Sequence, residues 1–444
     1  MAHFGREFIW MKTLSKGFGV PVCYCLGIPS ASPELSHGYR QMLRLVEMAN
    51  SEGCKLSAQV FTRPQGILMC WESRSHPFTE CKTFDKIWRT GRDPNNGSFL
   101  SKNQLWKNSE LKKAIILEAI DLATKSSDQG YFGMVLPQST DNDGPGNLNT
   151  TIASPGALAK MYADNAKFVF KFTSSYEPRA NDSAEATAKR KNVSVFEVIY
   201  DWLCENEGNQ VVTHLFMGYA NRNLDDLQEM LVHPDTVPGL GDTGAHLGFL
   251  SDPTSPTYLL THWHRDRETG PRLPLEFAVK LHSADTAKVF SLDDRGTIEI
   301  GKIADLNVIN LQKLQIKAPR FVRDLPTGAG RWIQEVQGYN YTIKTGEITF
   351  HNGFPTGRLP GELLRGPGYD PRSQGTKEDS TSQHVGQYGS LTGDLRMALS
   401  KLKWEGEQKA LETLLAFLGP SKLEKFGVYL NERLPLKNSK LSKL

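Results

Sequence analysis

The chain has 444 residues, 39% of them hydrophobic and 23% charged, an ordinary globular balance with enough length to bury one large core or two smaller ones. Lys and Arg number 52 against 49 Asp and Glu, and a formal charge of +3 is too small to argue for a nucleic-acid or membrane-surface partner. The cysteines, at 23, 25, 54, 70, 81 and 204, contain no C-x-x-C pair, so neither a disulfide framework nor a structural zinc knuckle is suggested and a reducing compartment fits best.

The opening stretch MAHFGREFIWMKT has charges where a signal peptide needs an apolar core, and no uninterrupted apolar run reaches the ~18 residues of a membrane span. Val20 to Cys25 reads as a strand, Met42, Leu43, Leu45, Val46 and Ala49 recur at helical spacing, and Leu56 to Phe61 reads as the next strand. Further strands are expected at Phe132 to Leu136, Val211 to Phe216 and Val237 to Gly241, with helices such as Leu111 to Ala123 and Val195 to Cys204 between them. Asn223 stands before LDDLQEML, where its side chain can accept from free first-turn N-H groups and Asp225 and Asp226 complement the helix dipole. The alternation over residues 18–290 predicts a parallel sheet wrapped by helices.

From Gly296 the pattern changes to short alternating strands, TIEIGKIADLNVIN and then YTIKTGEITF with a turn at Asn352-Gly353, which predicts a small antiparallel β module over 296–370. Residues 371–390 are polar and rich in Ser, Gly and Gln, a linker composition. In 391–444, Leu395, Leu399 and Leu402, then Leu411, Leu414, Leu415 and Leu418, mark an amphipathic helical tail. No period of about 20 to 50 residues repeats, which disfavours a solenoid or propeller.

The sharpest local feature is VPGLGDTGAH, a strand running into Gly241-Asp242-Thr243-Gly244. It puts a carboxylate at the strand's C-terminal end, the active face in α/β barrels. Such a group can take a proton from an attacking water and return it to a departing amine; the alternative is an Asp that caps the turn. Arg63 ends the strand LSAQVFTRP, where a guanidinium can grip a substrate carboxylate. Cys23 and Cys25 share a strand face, but packing is the commoner role of such thiols. His262 and His264 lie two apart in a segment of helical character and so project to opposite sides; His76 and His214 read as structural histidines.

The run DTAKVFSLDDRGTIEIGKIADLNVIN resembles the closing segment of the amidohydrolase superfamily, in which the chain leaves the barrel and returns through the pattern G-x-I-x-x-G-x-x-A-D-L. Gly296, Ile298, Gly301, Ala304, Asp305 and Leu306 match it in order. More narrowly, NLDDLQEMLVHPDTVPGLGDTGAH, PTYLLTHWHRDR and LPLEFAVKLHSADTAKVFSL are similar to the N-acyl-D-amino-acid deacylase branch. The resemblance implies a partial TIM-like (β/α) barrel over 1–295 that begins partway round, with the small β-sandwich module and the helical tail after it. It implies a hydrolase of non-peptide C-N bonds acting on a small N-acyl substrate, assisted by zinc. Asp242 falls where the branch keeps its catalytic aspartate, and His246 falls in the loop that would meet substrate or a metal-bound water. The superfamily's N-terminal His-x-His pair is absent, and the metal ligands cannot be named. That absence favours the alternative, a protein that keeps the fold and serves as a binding or regulatory subunit.

The chain ends in Ser442-Lys443-Leu444, which matches the C-terminal peroxisomal address and implies the peroxisomal import receptor as a partner, with the cytoplasm as the alternative location.

Overall fold

The computed structural model describes residues 4–31, 38–73, 75–93, 99–126, 155–173, 175–239, 241, 244, 246–325 and 328–364. The chain divides into two units, Met1–Pro360 and Gly361–Leu444. The β module expected from Gly296 thus falls, as far as Pro360, in the same unit as the α/β part. The expected strand Phe132 to Leu136, the linker and the helical tail lie outside the described residues. Among the described residues no helix is long and apolar enough to cross a membrane.

After the helix Phe4–Phe18 comes β1 (Val22–Leu26), then the helix Gly38–Ser51, β2 (Leu56–Phe61) and β3 (Gln65–Met69). The helix follows the expected spacing, with Tyr39, Leu43, Val46 and Ala49 buried on one face. The helices Lys82–Thr90, Lys102–Lys107, Ser109–Lys125 and Ala157–Asp164 lead to β4 (Val169–Lys171). Helices Ala184–Lys191 and Val195–Gly208 precede β5 (Val212–Met217), and the helix Asp225–Leu231 precedes β6 (Thr236–Gly239). In Val195–Gly208 the regular turns stop near Cys204, because Asn206 and Glu207 take positive φ values of 51° and 56°.

β2 lies at the centre of a parallel sheet of order β1-β2-β6, with Val22 opposite Leu56 and Ala58 opposite Thr236. The sequence reading expected β5 to join the same parallel array. Instead β5 pairs antiparallel with both β3 and β4 in a separate sheet of order β3-β5-β4. The reason is the link between β2 and β3. Only Thr62, Arg63 and Pro64 separate them, whereas a parallel crossover needs about a dozen residues. β3 therefore turns away from β2 and carries β5 with it, and no closed barrel forms among the described residues. The sheets meet where β1 ends: the Gly218 N-H donates to the Ile28 carbonyl at 2.7 Å, and the Ser30 N-H to Phe216 at 2.8 Å.

The β module contains β7 (Leu306–Ile309), β8 (Gln315–Ile316), β9 (Arg320–Val322), β10 (Arg331–Ile333), β11 (Val336–Gln337), β12 (Tyr339–Lys344), β13 (Glu347–His351) and β14 (Phe354–Pro355). Its largest sheet runs β14-β13-β12-β7 with antiparallel pairs throughout. Asn352 and Gly353, with φ of 50° and 84°, make the expected turn between β13 and β14. The first part of TIEIGKIADLNVIN is not a strand: Ile298 and Ile300 are exposed, and the chain pairs only from Leu306.

Candidate functional site

The C-terminal ends of the parallel strands β2 and β6 lie side by side, Phe61 opposite Gly239, and the loops that follow them are bonded together. Thr62 donates through Oγ1 to the Ser255 carbonyl at 2.7 Å, and the Trp263 indole donates to the Thr62 carbonyl at 2.6 Å. Arg63 is not open to a substrate, which corrects the role given to it above. Its guanidinium meets Asp252 at 2.7 Å, with both side chains 2% exposed. It also donates to the Ser251 carbonyl at 2.6 Å and lies 3.9 Å from the centroid of the Tyr176 ring. A buried cation needs an anion and acceptors beside it, and Arg63 finds these in the loop after β6. Its place in the fold is to hold that loop against β2.

Asp242 belongs to this loop but lies outside the described residues, as do Leu240, Thr243 and Ala245. A Cβ on Gly241 would meet the Asp252 carbonyl at 3.4 Å, which sets the start of the loop beside the Arg63 pair. Gly244 has φ of 91°, a conformation that favours glycine. His246 is exposed, has φ of 50°, and stacks its ring on Phe249 at 5.4 Å. Its carbonyl accepts the N-H groups of Phe249 and Leu250 at 3.0 and 2.9 Å, so the turn's backbone is satisfied while the imidazole faces outward.

The other histidines divide by burial. His76 sits among Trp71, Phe78 and Phe84, and burial pushes its pKa down to about 3. His214 lies on β5 against Tyr162 and is likewise pushed down to about 3 by burial. Both are buried, as structural histidines are, but His76 Nε2 and His214 Nδ1 have no hydrogen-bond partner among the described residues. His262 and His264 lie on a π-helical segment, Leu259–Asp266, not on a strand. His264 meets the Leu273 carbonyl at 3.1 Å. His262 is different.

His262 Nε2 lies 2.9 Å from a Glu177 oxygen, both residues are buried, and the imidazole stacks on Tyr258 at 4.5 Å with an interplanar angle of 11°. Glu177 also accepts the Leu224 N-H at 3.1 Å and faces Arg267 at 3.4 Å; Arg267 in turn meets Asp225 at 2.7 Å. Asp225 therefore has a partner beyond the helix end, while Asn223 accepts the Asp225 N-H at 3.1 Å, a bond at the helix start of the expected kind. Burial opposes the Glu177 charge, but hydrogen bonds from His262, Thr269 and Arg267 outweigh it and hold the carboxyl down to about 2. Glu177, Tyr258, His262 and Thr269 line a cleft of about 980 Å³ between the 173–182 segment, the 258–269 segment and the β module. Arg63, Asp252 and His246 are not among its lining residues. Glu177 stands 85 residues before His262 in the chain, so no spacing in the sequence could have paired them.

Cys23 and Cys25 lie on β1. Zinc is implied by the family resemblance. Yet among the described residues no three His, Cys, Asp or Glu side chains come together as a metal site. The described residues do not supply the ligand set.

Residues 185–350 match the model of the amidohydrolase family. No curated protein matches it significantly. Among solved structures it is similar to D-aminoacylase, described as defining a novel subset of amidohydrolases, at 15% identity and a TM-score of 0.37 over 80% of this chain and 52% of that one. A second is N-acyl-D-glutamate deacylase from Bordetella bronchiseptica, in complex with zinc and a phosphonate inhibitor, at 12% identity and a TM-score of 0.36 over 78% of this chain and 51% of that one. The chain thus spans about half the length of these structures.

Proposed function

We propose that the chain acts as a hydrolase of non-peptide C-N bonds, with a small N-acyl amino acid as substrate. The observation that carries the reading is the family match over residues 185–350, a segment that contains Asp242. The loop's attachment to β2 through Thr62 and the Arg63-Asp252 pair supports it, because a proton carrier must be held in place to act.

In this reading Asp242 takes a proton from the attacking water as the water oxygen bonds to the acyl carbon. It then delivers that proton to the amide nitrogen as the C-N bond breaks, leaving a carboxylic acid and a free amine, between which the remaining proton passes to give carboxylate and ammonium. His246, four residues on and facing outward, contacts the substrate. Arg63 positions the loop and does not touch substrate. A divalent ion, if held by residues beyond those described, would polarise the acyl carbonyl.

The test is amine release from a panel of N-acetyl and longer N-acyl amino acids of both chiralities. Release by the wild-type chain and its loss in Asp242→Asn support the reading; release undiminished in folded Asp242→Asn removes Asp242 from it.

Ser442-Lys443-Leu444 lies outside the described residues. It is proposed as a peroxisomal address read by the import receptor. A fluorescent protein ending in residues 431–444 should collect in peroxisomes, and the same fusion ending at Ser439 should stay cytosolic. Diffuse fluorescence from the intact tail would refute the address.

A further inference from the structure

The Glu177-His262 pair has an orientation that the hydrolase reading does not use. Glu177 is held ionised by its partners, so at neutral pH it can only accept a hydrogen bond. The 2.9 Å contact therefore fixes the proton of a neutral His262 on Nε2, and Nδ1 keeps a lone pair. Nothing among the described residues bonds Nδ1. Tyr258, stacked against His262 and also lining the cleft, is buried, and its hydroxyl has no hydrogen-bond partner among the described residues. A buried hydroxyl without a partner is costly, and a ligand can supply one.

The cleft mouth carries both signs of charge. Asp182 and Glu268 are anionic, Arg179 and Lys313 are cationic, all four are exposed, and none is ion-paired to another described residue. A ligand of one sign would meet repulsion from half of them, whereas a dipolar one can satisfy both.

We infer that this cleft binds a small zwitterion of the α-amino acid type. Its ammonium group donates to His262 Nδ1, with Asp182 and Glu268 nearby, and its carboxylate faces Arg179 and Lys313. The site lies apart from Arg63, Asp252 and His246, and the inference does not depend on the hydrolase reading.

The experiment is calorimetric titration of the full chain with glycine, L-alanine and D-alanine, using ethylamine and acetate as single-charge controls. The inference predicts saturable glycine binding with a Kd in the millimolar range or tighter, and binding at least about tenfold weaker for each control. His262→Phe keeps the ring stack and leaves Glu177 paired with Arg267, but removes Nδ1; it should weaken glycine binding about tenfold. Lys313→Ala changes an exposed side chain, so it tests the carboxylate end with the fold intact, and should weaken binding about threefold. Asp242→Asn should bind glycine as the wild type does, which separates this site from the proposed hydrolytic one. Absence of glycine binding up to about 100 mM would overturn the inference. So would equal binding of ethylamine or acetate, or unchanged affinity in both Lys313→Ala and a correctly folded His262→Phe.

Discussion

Replacing Asp252 by Asn should destabilise the protein more than almost any other single polar change, because it strands the Arg63 charge in the interior. The two groups are 2.7 Å apart and 2% exposed. At an effective dielectric constant of about 20, unit charges at this distance attract by about 6 kcal/mol. Taking both out of water cancels much of that, so the intact pair contributes little net stability, but removal of one partner costs about 3–5 kcal/mol. The lower end applies here, since the guanidinium retains the Ser251 carbonyl and the Tyr176 ring. Urea unfolding of Asp252→Asn, Arg63→Met and the double variant Arg63→Met/Asp252→Leu should show losses of about 3 kcal/mol in each single variant. The double variant should lose less than the sum by about 2 kcal/mol or more. A single-variant loss below about 1 kcal/mol, or strict additivity, would refute the idea that the loop after β6 is locked to β2 by this pair.

Glu177 should make the protein sensitive to acid. Its folded pKa, about 2, is depressed below the ordinary 4.5, so its contribution is full above that ordinary value and is lost as pH falls through about 2. The contribution is of order 3 kcal/mol, and Glu177→Gln should flatten the stability profile over this window; an unchanged profile would contradict the assignment. His76, depressed to about 3 by burial, stays neutral in the fold, so stability is present above about 6.5 and falls with pH toward 3 as the unfolded chain takes up the proton. His76→Phe should lower the pH midpoint of acid unfolding, and an unmoved midpoint would count against it. Gly156 has φ of 83°, and a Cβ there would overlap the Leu122 carbonyl. Gly156→Ala should therefore cost more than about 1 kcal/mol by thermal unfolding, and a neutral result would contradict the packing of the Ser109–Lys125 and Ala157–Asp164 helices.

Periodicity found the elements that bury one face. The helix Gly38–Ser51, the strand Leu56–Phe61 and the end of regular helix near Cys204 were all legible, because each is decided by local pattern. Strand partners were not. β5 has the apolar run of a parallel core strand, and only the three-residue link after Phe61, which forbids a crossover, sends it into an antiparallel sheet. β4, at three residues, is too short to stand out by pattern. The site divides in the same way. The place of Asp242 at a strand end was an expectation from glycine spacing and lies outside the described residues, whereas His246 is exposed. Arg63 looked available because a sequence does not show Asp252 coming to meet it from 189 positions away. Glu177 and His262 each looked ordinary, and only the fold makes them a pair.

The central claim, that this chain hydrolyses amide C-N bonds with Asp242 as the proton carrier, is tested most directly by steady-state amine release from an N-acyl amino acid by the wild type and by Asp242→Asn at matched folded concentration. The account predicts a turnover loss on the order of 100-fold to 10,000-fold with little change in melting temperature. Turnover in the folded variant within about threefold of the wild type would contradict it.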